Sequence, residues 1–326
     1  MKRRDFVAFC ASTMCGWSLP ARAEQGVPQI GFLHGESPAR FGGFLDLVRQ
    51  GLGESGFVEG KNVLIEYRWG EGQNGNLPAL AADLVRRRVA VILAPGSTPA
   101  ALAAKAATAT IPIVIFTAGD PVALGLVKSL NRPGGNVTGA TSLGRELAPK
   151  RLELLHELMP DAKIMALLVN PTNPALAAST AKAVQSAADG LGLQFHVERA
   201  GTEGEIEAAF ANLVRLRAAG LVIAIDSFFT ARRQALAELA FRNRIPAIYQ
   251  YADFAAAGGV MSYGGTPDGY RIAGLYAGRI LNGEKPADLP MQEITKTELV
   301  ISLKTAKALG MEVPPLLLAR ADKLIE

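Results

Sequence analysis

Continuous apolar runs alternate with amphipathic stretches along this chain, and the alternation is played through twice. In the first half the runs fall at 29–34, 63–69, 89–94, 111–116 and 136–140; in the second they fall at 163–169, 193–198, 221–225, 245–249 and 260–263. Runs without polar alternation predict strands covered on both faces, as in a parallel sheet. Between them Phe41, Phe44, Leu45, Val48 and Leu52 recur at helical spacing, as do Leu80, Leu84 and Val85, and later Ile206, Ala209, Phe210 and Leu213. Strand–helix alternation of this kind builds a doubly wound parallel sheet with right-handed crossovers. The expected fold class is therefore α/β, with two Rossmann-like lobes in series and a cleft between them.

The joints follow from the glycines. Gly134-Gly135 and the stretch 139–148 suit a first crossover, and Gly264-Gly265-Thr266-Pro267 suits a return. A helix at about 268–281 would then pack back on the first lobe. Lobe 1 is expected to hold residues 27–143 and 266–287, and lobe 2 residues 144–265 and 288–326. A chain that crosses more than once makes a hinge, which a single linker would not.

Composition changes the picture mainly at the start. Lys2, Arg3 and Arg4 precede a mostly apolar stretch from Phe6 to Leu19, and Ala21-Arg22-Ala23 has the spacing of a cleavage site. This reads as a secretory signal over residues 1–23, too short in its apolar part to span a bilayer. Arg3-Arg4 suits a twin-arginine signal as well as an ordinary Sec one, and both routes lead to the periplasm. Cys10 and Cys15 both lie inside this segment, and the residues before each do not suit lipid attachment. The mature chain then has no cysteine, which excludes disulfides and thiolate chemistry. Removing four basic residues and one acidic one lowers the formal charge of +4 by three, to +1. The longest basic cluster left is Arg86-Arg87-Arg88, which suits a helix end, so nucleic-acid binding is not expected. No other segment approaches the ~20 apolar residues of a membrane span.

In open α/β sheets ligands bind beyond the carboxyl ends of the strands. In the first lobe that rule selects His34, the turn Pro95-Gly96-Ser97-Thr98, and Thr117 with Asp120. In the second it selects Asn170, Asp226-Ser227 and Tyr249-Gln250-Tyr251, with Tyr263 near the return. At Ser97-Thr98 a helix begins where a strand ends, so backbone N–H groups, the dipole and two hydroxyls could hold an anion such as a carboxylate. Equally, Ser97 could simply cap its own helix. Asp120 before Pro121 reads first as a helix cap, with the cleft contact falling to Thr117. Asp226 follows an apolar run and cannot be core without a partner, so it either caps a helix or binds a ligand ammonium or hydroxyl. Tyr249, Tyr251 and Tyr263 offer stacking and a polar tip.

Catalysis finds little support: His34, His156 and His196 are scattered, and no metalloprotease, nucleophile-elbow or phosphate-loop spacing occurs. The chain is expected not to be an enzyme and to need neither cofactor nor metal. It resembles the ABC transporter substrate-binding family that includes tryptophan- and phenylalanine-type binding proteins, through Phe57-Val-Glu-Gly-Lys-Asn-Val63, Glu66-Tyr-Arg-Trp69, Ile111-Pro-Ile-Val-Ile with Gly119-Asp-Pro121, and Arg132-Pro-Gly-Gly-Asn-Val-Thr-Gly139. Lys150-Arg-Leu-Glu-Leu-Leu155, Ala257-Gly-Gly-Val-Met-Ser-Tyr263 and Leu303-Lys-Thr-Ala-Lys-Ala-Leu-Gly310 extend the likeness over the mature chain. The resemblance implies a type I periplasmic-binding fold and the capture of a small molecule for delivery to an inner-membrane ABC importer permease; the ligand is expected to bear a carboxylate, as an amino acid or an aromatic or branched acid does, and the chain to be a monomer. A ligand-sensing domain serving a membrane receptor is the alternative. On the signal-peptide reading, intact mass of the exported protein should show residues 1–23 missing; a retained diacylglyceryl group would overturn it.

Overall fold

The structure, a computed structural model, describes residues 26–142 and 147–326. The expected signal segment and residues 143–146 of the first crossover lie outside these. All ten expected strands form, with ends shifted by one or two residues: β1 Gln29–His34, β2 Leu64–Trp69, β3 Val91–Pro95, β4 Ile113–Thr117 and β5 Val137–Ser142, then β6 Ile164–Val169, β7 Gln194–Arg199, β8 Gly220–Ile223, β9 Ala247–Tyr249 and β10 Met261–Gly265. Three short strands follow: β11 Gln292–Ile294, β12 Thr297–Ser302 and β13 Lys323–Ile325. The first sheet has the order β11-β5-β4-β3-β1-β2 and is parallel throughout. The second has the order β13-β12-β10-β9-β8-β6-β7, with β10 and β12 antiparallel.

Both sheets therefore share one winding: the first strand lies between the second and the third. Each has a topological switch point there, beside β1 in the first sheet and β6 in the second, and a crevice opens at the carboxyl ends of the flanking strands. The inner strands β3, β4 and β5 are buried along their whole length, as their unbroken apolar runs require. Helices cover both faces of the first sheet: Gly43–Glu54 and Asp268–Leu281 on one side, Leu77–Arg86 and Thr98–Ala107 on the other. Helix Ala148–Leu158 packs Leu152 and Leu155 against β6, β8 and β9 in the second lobe. Among the described residues no helix is long and apolar enough to cross a membrane.

The chain passes between the sheets three times: after β5, after β10, and from β11 to β12. The last passage corrects the expected boundary at 288. Residues Gln292–Ile294 pair in parallel with β5, so this part of the tail belongs to the first sheet. Its one buried residue, Ile294, is too little for an apolar run to announce it.

Helix Asp268–Leu281 returns to the first lobe as expected, and two glycines let it in. A Cβ on Gly274 would overlap the Val48 carbonyl oxygen, and one on Gly51 would overlap the Arg271 carbonyl oxygen. Neither obstacle is a flexible side chain, so the two backbones would have to separate. Gly274→Ala is expected to lower the unfolding free energy by about 1–3 kcal/mol or more, read as a lower urea midpoint. An unchanged midpoint would mean that the helices tolerate separation.

Candidate functional site

The first lobe brings the end of β3 to the cleft. Gly96 has φ +76°, and any Cβ there would overlap the Tyr270 hydroxyl; only glycine lets Tyr270 lie over the strand end. Ser97 then caps the helix Thr98–Ala107, its Oγ accepting the Ala100 N–H at 3.3 Å. Thr98 sits at the first helical position, where no intrahelical acceptor exists for its N–H. Its hydroxyl shares a hydrogen bond of 2.9 Å with Thr117 Oγ1.

The second lobe answers with acceptors. Asp226 follows β8 and caps the short helix Ser227–Ala231, its Oδ1 accepting the Phe228 N–H at 2.9 Å. Asn170, at the end of β6, donates to Oδ1 at 2.8 Å, and Asn173 donates to Oδ2 at 3.0 Å. The Asn170 amide cannot be turned round, because its oxygen accepts both the N–H and the hydroxyl of Thr172. Burial pushes the Asp226 carboxyl up, while these donors and Arg232 pull it back. Gln250 is oriented in a similar way. Thr230 Oγ1 donates to the Asp226 carbonyl at 2.9 Å and so accepts from Gln250 Nε2. Gln250 Oε1 is left buried with no partner among the described residues.

These two sides face one another across a narrow cavity of about 20 Å³, partly open to solvent. Thr98 and Tyr270 line it from the first lobe, and Asn173, Asp226, Gln250 and Tyr251 from the second. A second space continues it past Tyr270, Ser227 and Thr230 to His34, Phe41 and Phe44. One end of the cleft is thus polar and the other aromatic: Tyr270 stacks on Phe44 at 4.5 Å and meets Phe41 and Phe116 edge-on. His34 packs among Phe32, Phe41 and Trp69, and burial pushes its pKa down to about 3.

Contacts between the lobes border the cleft. Arg232 donates to Glu36 at 3.1 Å, both side chains buried, and lies over the Phe228 ring. Burial pushes the Glu36 carboxyl up against the pull of Arg232. Arg40 pairs with Glu203 in the open, Asn74 Nδ2 donates to Thr172 Oγ1 at 3.0 Å, and Phe44 reaches Tyr251.

Of the residues selected from sequence, His34, Thr98, Asp226 and Tyr251 line this cleft. Asn170 and Thr117 stand behind it, holding Asp226 and Thr98. Ser97 is corrected to a helix cap: its Oγ accepts the Ala100 N–H and it does not line the cavity. Asp120 likewise caps the next turn, its Oδ1 accepting the N–H groups of Val122 and Ala123, and it does not line the cavity. Tyr249 is core, stacked on Phe254 at 4.8 Å, because the strand's alternation turns it inward and its neighbour Gln250 to the cleft. Tyr263 contributes its carbonyl oxygen, which accepts from the buried Arg151 Nε. Reasoning from sequence missed Tyr270, Phe44, Asn173 and the Glu36–Arg232 pair. Of these only Asn173, three residues past the selected Asn170, carried a local signal.

Residues 37–325 match the family described as ABC transporter substrate binding protein. A relative called tyrosine-binding protein, from Clostridioides difficile, is 29% identical over 82% of this chain and 78% of its own. A Vibrio cholerae structure superposes with a TM-score of 0.80 at 27% identity, over 92% of this chain and all of that one. An ABC domain from Streptococcus pneumonia in complex with L-Trp gives 0.79 at 23%, with the same coverage. A ligand-free, open substrate-binding protein from Clostridium difficile gives 0.61 at 27%, over 92% of this chain and 99% of that one.

Neutral, buried His34 sets a pH dependence. Between its ordinary value of 6.5 and about 3, the unfolded chain binds a proton there that the folded protein does not. Stability must then fall as the pH drops below 6.5. From pH 7 to 5 the loss should be about 2 kcal/mol. His34→Gln should remove that part of the slope in urea unfolding at the two pH values; an unchanged slope would assign it to other groups.

Proposed function

The chain belongs to the ABC transporter substrate-binding protein family, a family of solute binders rather than enzymes, and we propose that it captures a small amino acid with an aromatic side chain in the interlobe cleft. One observation carries the reading: buried acceptors on one lobe oppose a helix start on the other across a single cavity. The ligand ammonium would meet Asp226 Oδ2 and Gln250 Oε1, both acceptors. Its carboxylate would meet the N–H and hydroxyl of Thr98, where the helix dipole favours negative charge. Its side chain would run past Tyr270 towards Phe41 and Phe44, whose faces suit a ring. The names of the relatives from Clostridioides difficile and Streptococcus pneumonia agree with this class.

On this proposal the protein works in the periplasm, after export through the signal of residues 1–23, and hands its ligand to an ABC importer permease. Its lobes close on the ligand about the three crossings. Overall shape supports a closed arrangement here: the likeness is greater to the L-Trp complex (0.79) than to the open, ligand-free protein (0.61), although sequence identity ranks them the other way.

Calorimetry with L-tyrosine, L-phenylalanine and 3-phenylpropionate tests the assignment. Losing a hydrogen bond to a charged group costs about 1.5–3 kcal/mol. Asp226→Asn and Thr98→Val should therefore each weaken amino-acid binding about tenfold or more, and Ser97→Ala should lower stability with little effect on affinity. The deaminated acid should bind worse than either amino acid. Equal binding of the acid would overturn the ammonium site, and full affinity in Thr98→Val would move the carboxylate elsewhere.

A further inference from the structure

His34 ends β1 at the first sheet's switch point and lines the aromatic end of the cleft with Phe41, Phe44 and Tyr270. Its Nδ1 accepts the Glu36 N–H at 3.1 Å. A neutral imidazole carries one proton, so here it sits on Nε2, which is a donor. That nitrogen is buried and has no partner among the described residues, in a side chain only 1% exposed. Buried donors without partners are rare in folded proteins. The rings stacked against His34, those of Phe32, Phe41 and Trp69, offer no oxygen or nitrogen acceptor. Of its polar neighbours, Glu36 Oε2 accepts from Arg232 and Thr230 Oγ1 pairs with the Asp226 carbonyl and Gln250 Nε2, and neither bonds to His34 Nε2. Burial keeps the ring uncharged throughout the physiological range.

We propose that His34 is a specificity-determining residue whose Nε2–H reads a hydrogen-bond acceptor on the side chain of the ligand. The cleft would then select an amino acid whose ring carries such an acceptor, as a phenol oxygen does, over a hydrocarbon ring or one that only donates. A phenol oxygen accepts and donates, an indole N–H only donates, and a phenyl ring does neither. This rests on the amino-acid reading above and deepens it.

Sites built to hydrogen-bond a group discriminate strongly against ligands that lack it, because the protein's own donor is then left unpaired. The intact protein should bind L-tyrosine about tenfold or more tighter than L-phenylalanine and L-tryptophan. His34→Phe should bring the tyrosine-to-phenylalanine ratio to about one. His34→Gln, which keeps an N–H donor at similar reach, should restore part of it. The ratio is the readout, so a general loss of affinity in a variant does not mimic the effect, and thermal melting checks that both variants fold. Should His34→Phe not fold, the intact protein and His34→Gln still decide the matter. A wild-type ratio near one, or the same high ratio in His34→Phe, would overturn the assignment while leaving the amino-acid reading intact. If none of the three amino acids binds the intact protein, that reading falls and the His34 assignment falls with it.

Discussion

The return of the helix Asp268–Leu281 to the first lobe holds much of this structure in place, and it depends on backbone meeting backbone. Gly51 and Gly274 remove the two Cβ atoms that would keep the helices apart, and the Ser55 hydroxyl donates to the Leu275 carbonyl at 3.1 Å beside them. With the helix seated, Tyr270 lies over Gly96 and stacks on Phe44, so the cleft wall of the first lobe is complete. The chain must then cross again to form β12 and β13, giving three strands of connection between the lobes. A single close packing thus sets both the wall of the cavity and the number of crossings.

Electrostatics at the site follow the same economy. Asp226 is buried, and a lone carboxylate there would be costly; Asn170, Asn173 and the Phe228 N–H satisfy it from its own lobe. The charge is therefore held in position independently of the first lobe. Gln250 is oriented by Thr230 within that lobe too. On the first lobe, Ser97 takes the helix-capping duty and leaves Thr98 to face the cavity. Each side of the site is organised by its own lobe, which on the proposed function would keep both halves ordered as the lobes close on a ligand.

The strand ends were legible because the strands are buried on both faces and leave continuous apolar runs. From there the switch-point rule led to turns that line the cavity. What it could not supply was the face taken by each side chain at those turns: Tyr249 and Gln250 are adjacent, as are Ser97 and Thr98, and in each pair only one lines the cavity. Asp226 was legible, since a carboxylate after an apolar run must be accounted for. Glu36 and Arg232 lie 196 positions apart and no local pattern joins them. β11 escaped because its sequence, Gln292-Glu293-Ile294, buries one residue at a sheet edge.

The contacts between the lobes bear on what would hold the proposed closed state. Arg40 and Glu203 are 41% and 63% exposed, and such pairs contribute about 0–1 kcal/mol. Glu36 and Arg232 are buried, and the cost of stripping water from both charges offsets much of their attraction. Burial, with a smaller push from Asp226, holds the Glu36 carboxyl above its ordinary range despite the adjacent guanidinium. Asn74 and Thr172 add one hydrogen bond between the lobes. Protein contacts of this kind give closure a defined register without making it strongly favourable. On the proposed function, the ligand then supplies the difference: it touches Thr98 and Tyr270 on one lobe and Asp226 and Gln250 on the other, and only the closed form offers all four together.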